Sequence, residues 1–433
     1  MRKISKLSLV AAVAVAGFST ANAQPLEEAI KNVEVSGSVV YRYDNFGQDK
    51  IDGVRGDDAK RSGENNYKIG LNLSSVVNDY VKFNSRFIVG SKDHGGFASL
   101  KAGRNDNTAG SDGQADVSLS NAYFGFTAIP NTIVNVGKQG LTTPYTVATD
   151  INGNEQTGTG ILALTNIGPV TAGAGYFNNT NLNTSTEINA SQGLGTGRTF
   201  VWDNIKDEFT KGDTFNGGND IYVATIQGDL DFVKLESWYV GMQETFNTFT
   251  LAATSDIELA ENAKLGLEAR YVQLTLDDKV KDALGLDSDK NAMFRVGVNG
   301  KVGIVNAKVV YVNTDKKGGL IALDQDAKNA TLGWAITSNG VANADYWQAA
   351  LGADILDNLN FTANYGNLKS KATNNAVLLD DIKAQEVYGQ LTYKMSKNLS
   401  TYLRYGTYEE KINSTGDKLI DQTRGRIQVA YTF

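Results

Sequence analysis

The feature that most constrains this chain is a two-residue alternation of apolar and polar side chains that recurs along most of the sequence. In the segment VEVSGSVVYRY, residues 33–43, Val35, Val39 and Tyr41 fall on one side and Arg42 on the other. The closing segment TRGRIQVAYTF alternates in the same way up to the last residue. Successive side chains of a β-strand point to opposite faces. The pattern therefore predicts many strands, each with one apolar and one polar face.

The connectors between these segments distinguish a membrane barrel from a soluble sandwich. We count eighteen alternating segments, with short connectors after the even-numbered ones and mostly long connectors after the odd-numbered ones. The longest connectors are residues 45–65, 91–117, 178–219 and 313–345. Tight turns at one end and long loops at the other are typical of outer-membrane barrels. The sequence thus predicts an all-β fold, an 18-stranded antiparallel transmembrane β-barrel with short periplasmic turns and long extracellular loops.

The first residues have the parts of a secretory signal peptide. Basic residues precede an apolar stretch at residues 9–18, and the tripeptide Ala-Asn-Ala ending at Ala23 fits a cleavage site. After this segment no apolar run approaches the roughly 18 residues that a membrane helix needs. We therefore predict a cleaved signal peptide over residues 1–23 and a single barrel domain over residues 24–433 in the outer membrane of a Gram-negative cell.

The end of the chain is expected to close the barrel. Unpaired backbone groups in lipid cost several kcal/mol each, so the last strand must pair with the first. Tyr431 and Phe433 then lie on the lipid-facing side, where aromatic residues form a girdle at the membrane interface. We expect these two residues to anchor the closing strand in the lipid bilayer, and insertion to involve the barrel-assembly machinery.

Two stretches resemble the major outer membrane proteins of the Campylobacter type, which are porins. They are PLEEAIKNVEVSGSVVYRYD at residues 25–44 and VNVGKQ at residues 134–139. In the first, a short amphipathic helix leads directly into the first strand, as it does in that family. The resemblance implies an eighteen-stranded barrel, a homotrimer, and passive diffusion of ions and small hydrophilic solutes. It also implies a preference for cations and an association with bound calcium.

The third long connector is the candidate constriction of the pore. A barrel of this size leaves an aqueous channel unless something narrows it. Residues 139–160 carry Asp150 and Glu155 and no basic residue. We expect this loop to fold inward with both carboxylates facing the lumen. A calcium site at these acids, built from carboxylate and carbonyl oxygens, is a further expectation for a chain that otherwise needs no cofactor.

Strand parity assigns a set of charged side chains to the inner wall. They are Arg42, Lys68, Lys82, Arg86, Glu236, Glu268, Arg270, Arg295, Glu386, Arg404, Arg424 and Arg426. Charges of both signs around a watery lumen orient permeating solutes. Arginines from both ends of the chain become neighbours when the barrel closes. A plainer interpretation is that these charges hydrate the wall and pair with one another.

These observations favour a general diffusion porin with a weak preference for cations. The alternatives are a substrate-selective channel of the sugar type and a surface adhesin or structural protein of the outer membrane. Catalysis is not expected, since the chain has one histidine and no cysteine. A net charge of −7 without any basic block argues against nucleic acid as a partner.

Overall fold

The computed structural model describes residues 33–49, 60–91, 96–100, 115–182, 199–203, 208–212, 218–375 and 381–433. The predicted signal peptide and the helix expected before the first strand lie outside these residues. So does the single histidine, His94.

The described residues form a closed barrel of eighteen antiparallel strands. The strands are β1 Val33–Gln48, β2 Lys60–Asn78, β3 Val81–Gly90, β4 Asp116–Phe126, β5 Thr132–Gly140, β6 Thr157–Ile167, β7 Val170–Thr180, β8 Ile221–Asp229, β9 Lys234–Met242, β10 Phe246–Ala260, β11 Ala263–Leu276, β12 Lys290–Val302, β13 Val305–Thr314, β14 Ala344–Leu356, β15 Leu359–Ser370, β16 Ile382–Lys394, β17 Leu399–Ile412 and β18 Lys418–Thr432. Each pairs with its neighbours in sequence, and β18 pairs with β1 from Ser38↔Thr432 to Gln48↔Gln422. The predicted strand number and antiparallel closure are confirmed.

Among the described residues, three short strands and one short helix lie in the long connectors. Ala98–Leu100 pairs with residues 65–67 of β2. Thr199–Asp203 and Glu208–Gly212 form a hairpin in the connector from β7 to β8. A short helix, α1 Asp278–Ala283, begins after Asp277, whose side chain accepts a hydrogen bond from the Lys279 N–H. Among the described residues no helix is long and apolar enough to cross a membrane.

Side-chain parity on the closing strand follows the alternation in the sequence. Ile427, Tyr431 and Phe433 are about two-fifths exposed on the outer face (44%, 43% and 43%). Phe433 extends the ladder beyond β18, since its N–H and carbonyl pair with the carbonyl and N–H of Gly37 at 3.1 and 2.9 Å. The Tyr431 and Phe433 rings stack with centroids 5.8 Å apart. The last residue of the chain is thus part of the barrel wall.

Two connectors contribute a layer inside the barrel. We call residues 141–156 the third loop and residues 315–343 the seventh loop. The Leu323 N–H donates to the Tyr145 carbonyl at 2.7 Å, and the Asn329 N–H donates to the Pro144 carbonyl at 2.8 Å. The seventh loop was expected to be extracellular, but most of its residues are buried. Its apolar run GGLIAL, residues 318–323, explains this placement, because such a run gains free energy by leaving water.

Candidate functional site: the lumenal constriction

Basic side chains of β2 and β3 hold the third loop against the inner wall. Lys68 Nζ donates to the carbonyls of Asp150 and Gly153 at 2.6 and 2.8 Å. The Arg86 guanidinium binds Glu155 in a bidentate fork at 2.7–2.9 Å. Ser120 also donates to this carboxylate, and a β-bulge in β4 opposite Arg86 skips Ser120 in the pairing. Such bulges redirect a side chain, and here one turns Ser120 into the lumen.

These contacts correct the expectation that both third-loop carboxylates face open lumen. Glu155 is 4% exposed and its charge is compensated by Arg86. Asp150 is 3% exposed, and its carboxylate accepts from the N–H groups of Asn152 and Gly153 at 2.7 and 2.9 Å. The width of the barrel predicts a loop inside the lumen, but it does not predict which side chains of that loop turn back to the wall.

Asp150 instead joins two acids of the seventh loop. Carboxylate oxygens of Asp150, Asp324 and Asp326 lie within 4.8 Å of one another. We call these residues the acidic triad. Asp324 is fully buried and Asp326 is exposed. Burial raises the pKa of Asp150 to about 6, although the Gly153 N–H and the Lys68 ammonium favour its charged form. The expected cluster of Asp150 with Glu155 is therefore replaced by a cluster of acids from both loops.

A group of arginines lines β1, β17 and β18 on the inner face. We call Arg42, Arg404, Arg424 and Arg426 the basic wall. Arg404, Arg424 and Arg426 lie with Cζ 5.3, 5.0 and 6.0 Å from the Trp334 ring centroid, within the range of cation–π attraction.

Trp334 comes from the seventh loop. Glu386 of β16 holds it by accepting from the N–H groups of Trp334 and Ala335 at 3.0 and 2.7 Å. Within the described part of the chain, Arg424 Nε is buried without a hydrogen-bond acceptor. The basic wall is thus packed around an aromatic side chain and only partly neutralised.

The remaining predicted lumenal charges either hold the seventh loop or lie exposed near the periplasmic end. Arg270 and Arg295 anchor the seventh loop: Arg270 Nη1 donates to Asn329 Oδ1 at 3.1 Å, and Arg295 Nη1 donates to the Ala330 carbonyl at 3.0 Å. Glu236 and Glu268 balance these arginines. Lys82 is exposed near the periplasmic end and lies 3.9 Å from Glu34. The plainer interpretation, that wall charges pair, describes this group well.

The acidic triad and the basic wall border the same space. Arg42 Nη1 donates to Asn152 Oδ1 at 2.9 Å, and Asn152 Nδ2 in turn donates to Asp326. Arg426 pairs with Asp44 on β1. The third and seventh loops therefore bring carboxylates next to the guanidinium groups of the strands. This arrangement can impose a transverse field on a permeating ion or dipole.

Sequence reasoning missed the contribution of the seventh loop, including Asp324, Asp326 and Trp334. The signal was present in the apolar run that precedes these residues, which is unusual for a loop in water. A two-residue alternation identifies strands only, so it does not reveal a connector whose side chains are buried.

The sequence matches the Campylobacter major outer membrane protein family over residues 1–433. The chain belongs to that family. It is therefore an outer-membrane porin, embedded in the lipid bilayer of the cell outer membrane, and the resemblance at its N-terminus is confirmed. A search of curated proteins found no match to this sequence.

Solved barrels share the fold of this porin. Acinetobacter baumannii OccAB1 has 15% identity and a TM-score of 0.66, covering 92% of this chain and 96% of its own. Pseudomonas aeruginosa OpdK with vanillate has 13% identity and a TM-score of 0.65, with coverage of 92% and 98%. P. aeruginosa OccK2 (OpdF) in complex with glucuronate has 13% identity and a TM-score of 0.63, with the same coverage. At these identities the likeness establishes the fold alone.

Proposed function

We propose that this porin conducts ions and small hydrophilic solutes by passive diffusion, without catalysis, and weakly prefers cations. The observation that carries the proposal is the meeting of the acidic triad and the basic wall beside two loops inside the lumen. Adjacent fixed charges of both signs attract polar solutes of either sign. The triad favours cations because it concentrates three carboxylates at one point.

Purified protein in planar bilayers and in liposomes tests this function. We expect discrete open-channel currents in KCl and entry of small neutral sugars into liposomes at rates that fall with sugar size. A protein that inserts as a folded, heat-modifiable barrel but gives neither current nor sugar entry would contradict diffusion and favour an adhesive or structural role.

We further propose that the acidic triad is a calcium site. Ca²⁺ takes six to eight oxygen ligands at about 2.3–2.6 Å, and carboxylates together with loop carbonyls provide them. The triad ties the third loop to the seventh, so bound Ca²⁺ would stabilise the constriction. Chelation of Ca²⁺ should lower the thermal stability of the native protein and leave a variant with Asp324→Asn and Asp326→Asn unaffected. Equal thermal stability of the native protein with Ca²⁺ and with chelator would contradict calcium binding at the acidic triad.

A second candidate function is a channel selective for carboxylates. It is favoured by the basic wall, where Arg424 Nε lacks an acceptor among the described residues and Trp334 offers an aromatic face. Vanillate and glucuronate, bound to the two solved relatives named above, are both carboxylates. If this function is correct, glucuronate should permeate faster than glucose, and Arg424→Gln should remove the difference. Equal rates for the two sugars would leave general diffusion as the function.

We propose a homotrimer whose contacts include the outer face of β3 to β5. Lys138 lies on this face, two residues after the exposed Val136, and its Nζ reaches the Leu119 carbonyl at 2.6 Å. A Lys that faces lipid costs up to about 2–4 kcal/mol, depending on its depth, so a protein neighbour is the better environment. Because the chain has no cysteine, Ala122→Cys should cross-link protomers, whereas Leu351→Cys on the lipid-facing β14 should not. Equal cross-linking at both positions would contradict a protomer contact on the outer face of β3 to β5.

A further inference from the structure

The lumen contains an apolar cavity on the side of the barrel opposite the basic wall. Its volume is about 480 Å³. Its apolar lining consists mainly of Leu141, Leu162, Leu164, Phe177, Val223 and Trp238. The third loop covers one end, and the lining reaches Pro169 and Gly228 near the periplasmic turns. The inside of an outer-membrane barrel is normally polar. An apolar wall in the periplasmic half of the lumen therefore requires an explanation.

Packing of the third loop explains only the upper part of this wall. Leu141 and Leu162 are 2% and 9% exposed and belong to the hydrophobic core beneath the loop. Leu164 and Trp238 lie against the same core but are only half-buried, and both line the cavity. If the wall served only to seat the loop, these two positions would carry polar side chains like those on the neighbouring inner wall. Their apolar surface is left for something else to cover.

Lys328 and Glu236 line the polar end of the cavity, and the arginines behind Glu236 add positive charge there. Glu236 contacts both Lys328 and Arg270, and Glu268 contacts both Arg270 and Arg295. Three cations thus share two carboxylates. The Lys328 side chain is 55% exposed, so its ammonium group can also bind an acid that enters the cavity. The other charges at this end, Asp229 and Lys234, lie 4.0 Å apart and balance each other.

We propose that this cavity binds an amphipathic small molecule with a ring-sized apolar body and one acidic group. The body covers Leu164 and stacks on Trp238, and the acid binds Lys328. The volume lies in the range of about 300–1,000 Å³ that is usual for small-molecule pockets. The ligand is recognised by burial of its apolar body and by one charge-assisted hydrogen bond to its acidic group. This site is distinct from the basic wall and goes beyond passive conduction.

The test uses the full-length porin in a planar bilayer with 2-naphthoate on the periplasmic side. We expect reversible interruptions of the KCl current. Trp238→Ala and Leu164→Gln should each weaken the apparent affinity roughly tenfold, the loss of about 1.4 kcal/mol of contact. Lys328→Met should weaken binding of 2-naphthoate but not of neutral 2-naphthol. Trp347→Ala on the outer face is the matched control and should change nothing.

If 2-naphthoate interrupts the current, three outcomes would still overturn the proposal. They are interruptions by acetate as frequent as those by 2-naphthoate, unchanged affinity in both Trp238→Ala and Leu164→Gln, and loss of binding in Trp334→Ala, which would place the ligand at the basic wall. The KCl conductance recorded in parallel keeps this test separate from the proposed function. A conducting wild-type porin without interruptions contradicts the cavity site alone.

Discussion

Arg86 and Glu155 are the side chains that fix the third loop most directly, and their ion pair is buried. The two side chains are 10% and 2% exposed. Removing one partner of a buried pair leaves an uncompensated charge, which typically costs about 3–5 kcal/mol. Glu155→Gln should therefore loosen the loop more than it weakens the barrel. We expect noisier single-channel currents and a lower temperature of heat modification.

The matched control for this substitution is Glu258→Gln. Glu258 pairs with Lys264 at 2.6 Å, but both side chains are mostly exposed. Surface pairs contribute about 0–1 kcal/mol, so current noise and thermal stability should stay near those of the native protein. If the two variants behave alike, the Arg86–Glu155 pair does not hold the loop.

Phe433 is predicted to be needed for assembly. Its backbone makes two hydrogen bonds with Gly37 of β1, and its ring stacks on Tyr431 at the outer face. Deleting Phe433 removes these two hydrogen bonds and the stacked ring at the end of the closing strand. Secretion should continue while the amount of heat-modifiable protein in the outer membrane falls severalfold. A normal amount would count against the anchoring role, and Thr432→Ala is the control that keeps the final ring.

Single residues also show where reasoning from sequence succeeded. Parity placed Arg424 and Arg426 inside and Tyr431 outside because strand geometry leaves only two directions. Parity could not give the exposure of Glu155, because Glu155 is buried by its bond to Arg86, which lies 69 positions earlier in the chain. The neighbouring residues in a strand determine the direction of a side chain, whereas contacts with distant residues determine its exposure to solvent.

At the scale of elements, the third and seventh loops support each other. Asn329 links them, since its N–H donates to Pro144 and its side chain bonds Arg270 Nη1 and Thr250. Replacing residues 320–339 with a short Gly-Ser linker should therefore loosen the third loop at Pro144 and Tyr145, while Arg86 still holds its other end. We expect conductance to rise at least twofold, measured in single channels. The same linker in place of residues 371–374, between β15 and β16, should leave it unchanged.

No rise in conductance after that replacement would mean that the seventh loop does not narrow the passage.

The strands themselves were predictable because each carries its own alternation. The seventh loop was not, because an apolar run such as GGLIAL reads as neither strand nor helix and shows its role only when the barrel closes around it.

At the scale of the whole molecule, basic, acidic and apolar side chains of the lumen form three separate groups. The basic wall lies on β1, β17 and β18, the acidic triad lies on the loops, and the apolar cavity lies on β6 to β9. The net charge of −7 says nothing of this arrangement. Ions respond to the nearest fixed charges, because salt screens the rest beyond about 8 Å at physiological ionic strength. Closure of the barrel therefore decides selectivity more than composition does.

The reversal potential in a KCl gradient tests most directly the claim that the acidic triad sets the selectivity of the constriction. The native porin should be weakly cation-selective at low salt. The triple variant Asp150→Asn, Asp324→Asn and Asp326→Asn should shift towards anions, and the shift should fade in molar salt as screening shortens the range of the charges. Glu34→Gln at the periplasmic end is the control and should not shift. An unchanged reversal potential in the triple variant, or an anion-selective native porin, would contradict the account and make the basic wall the selectivity filter.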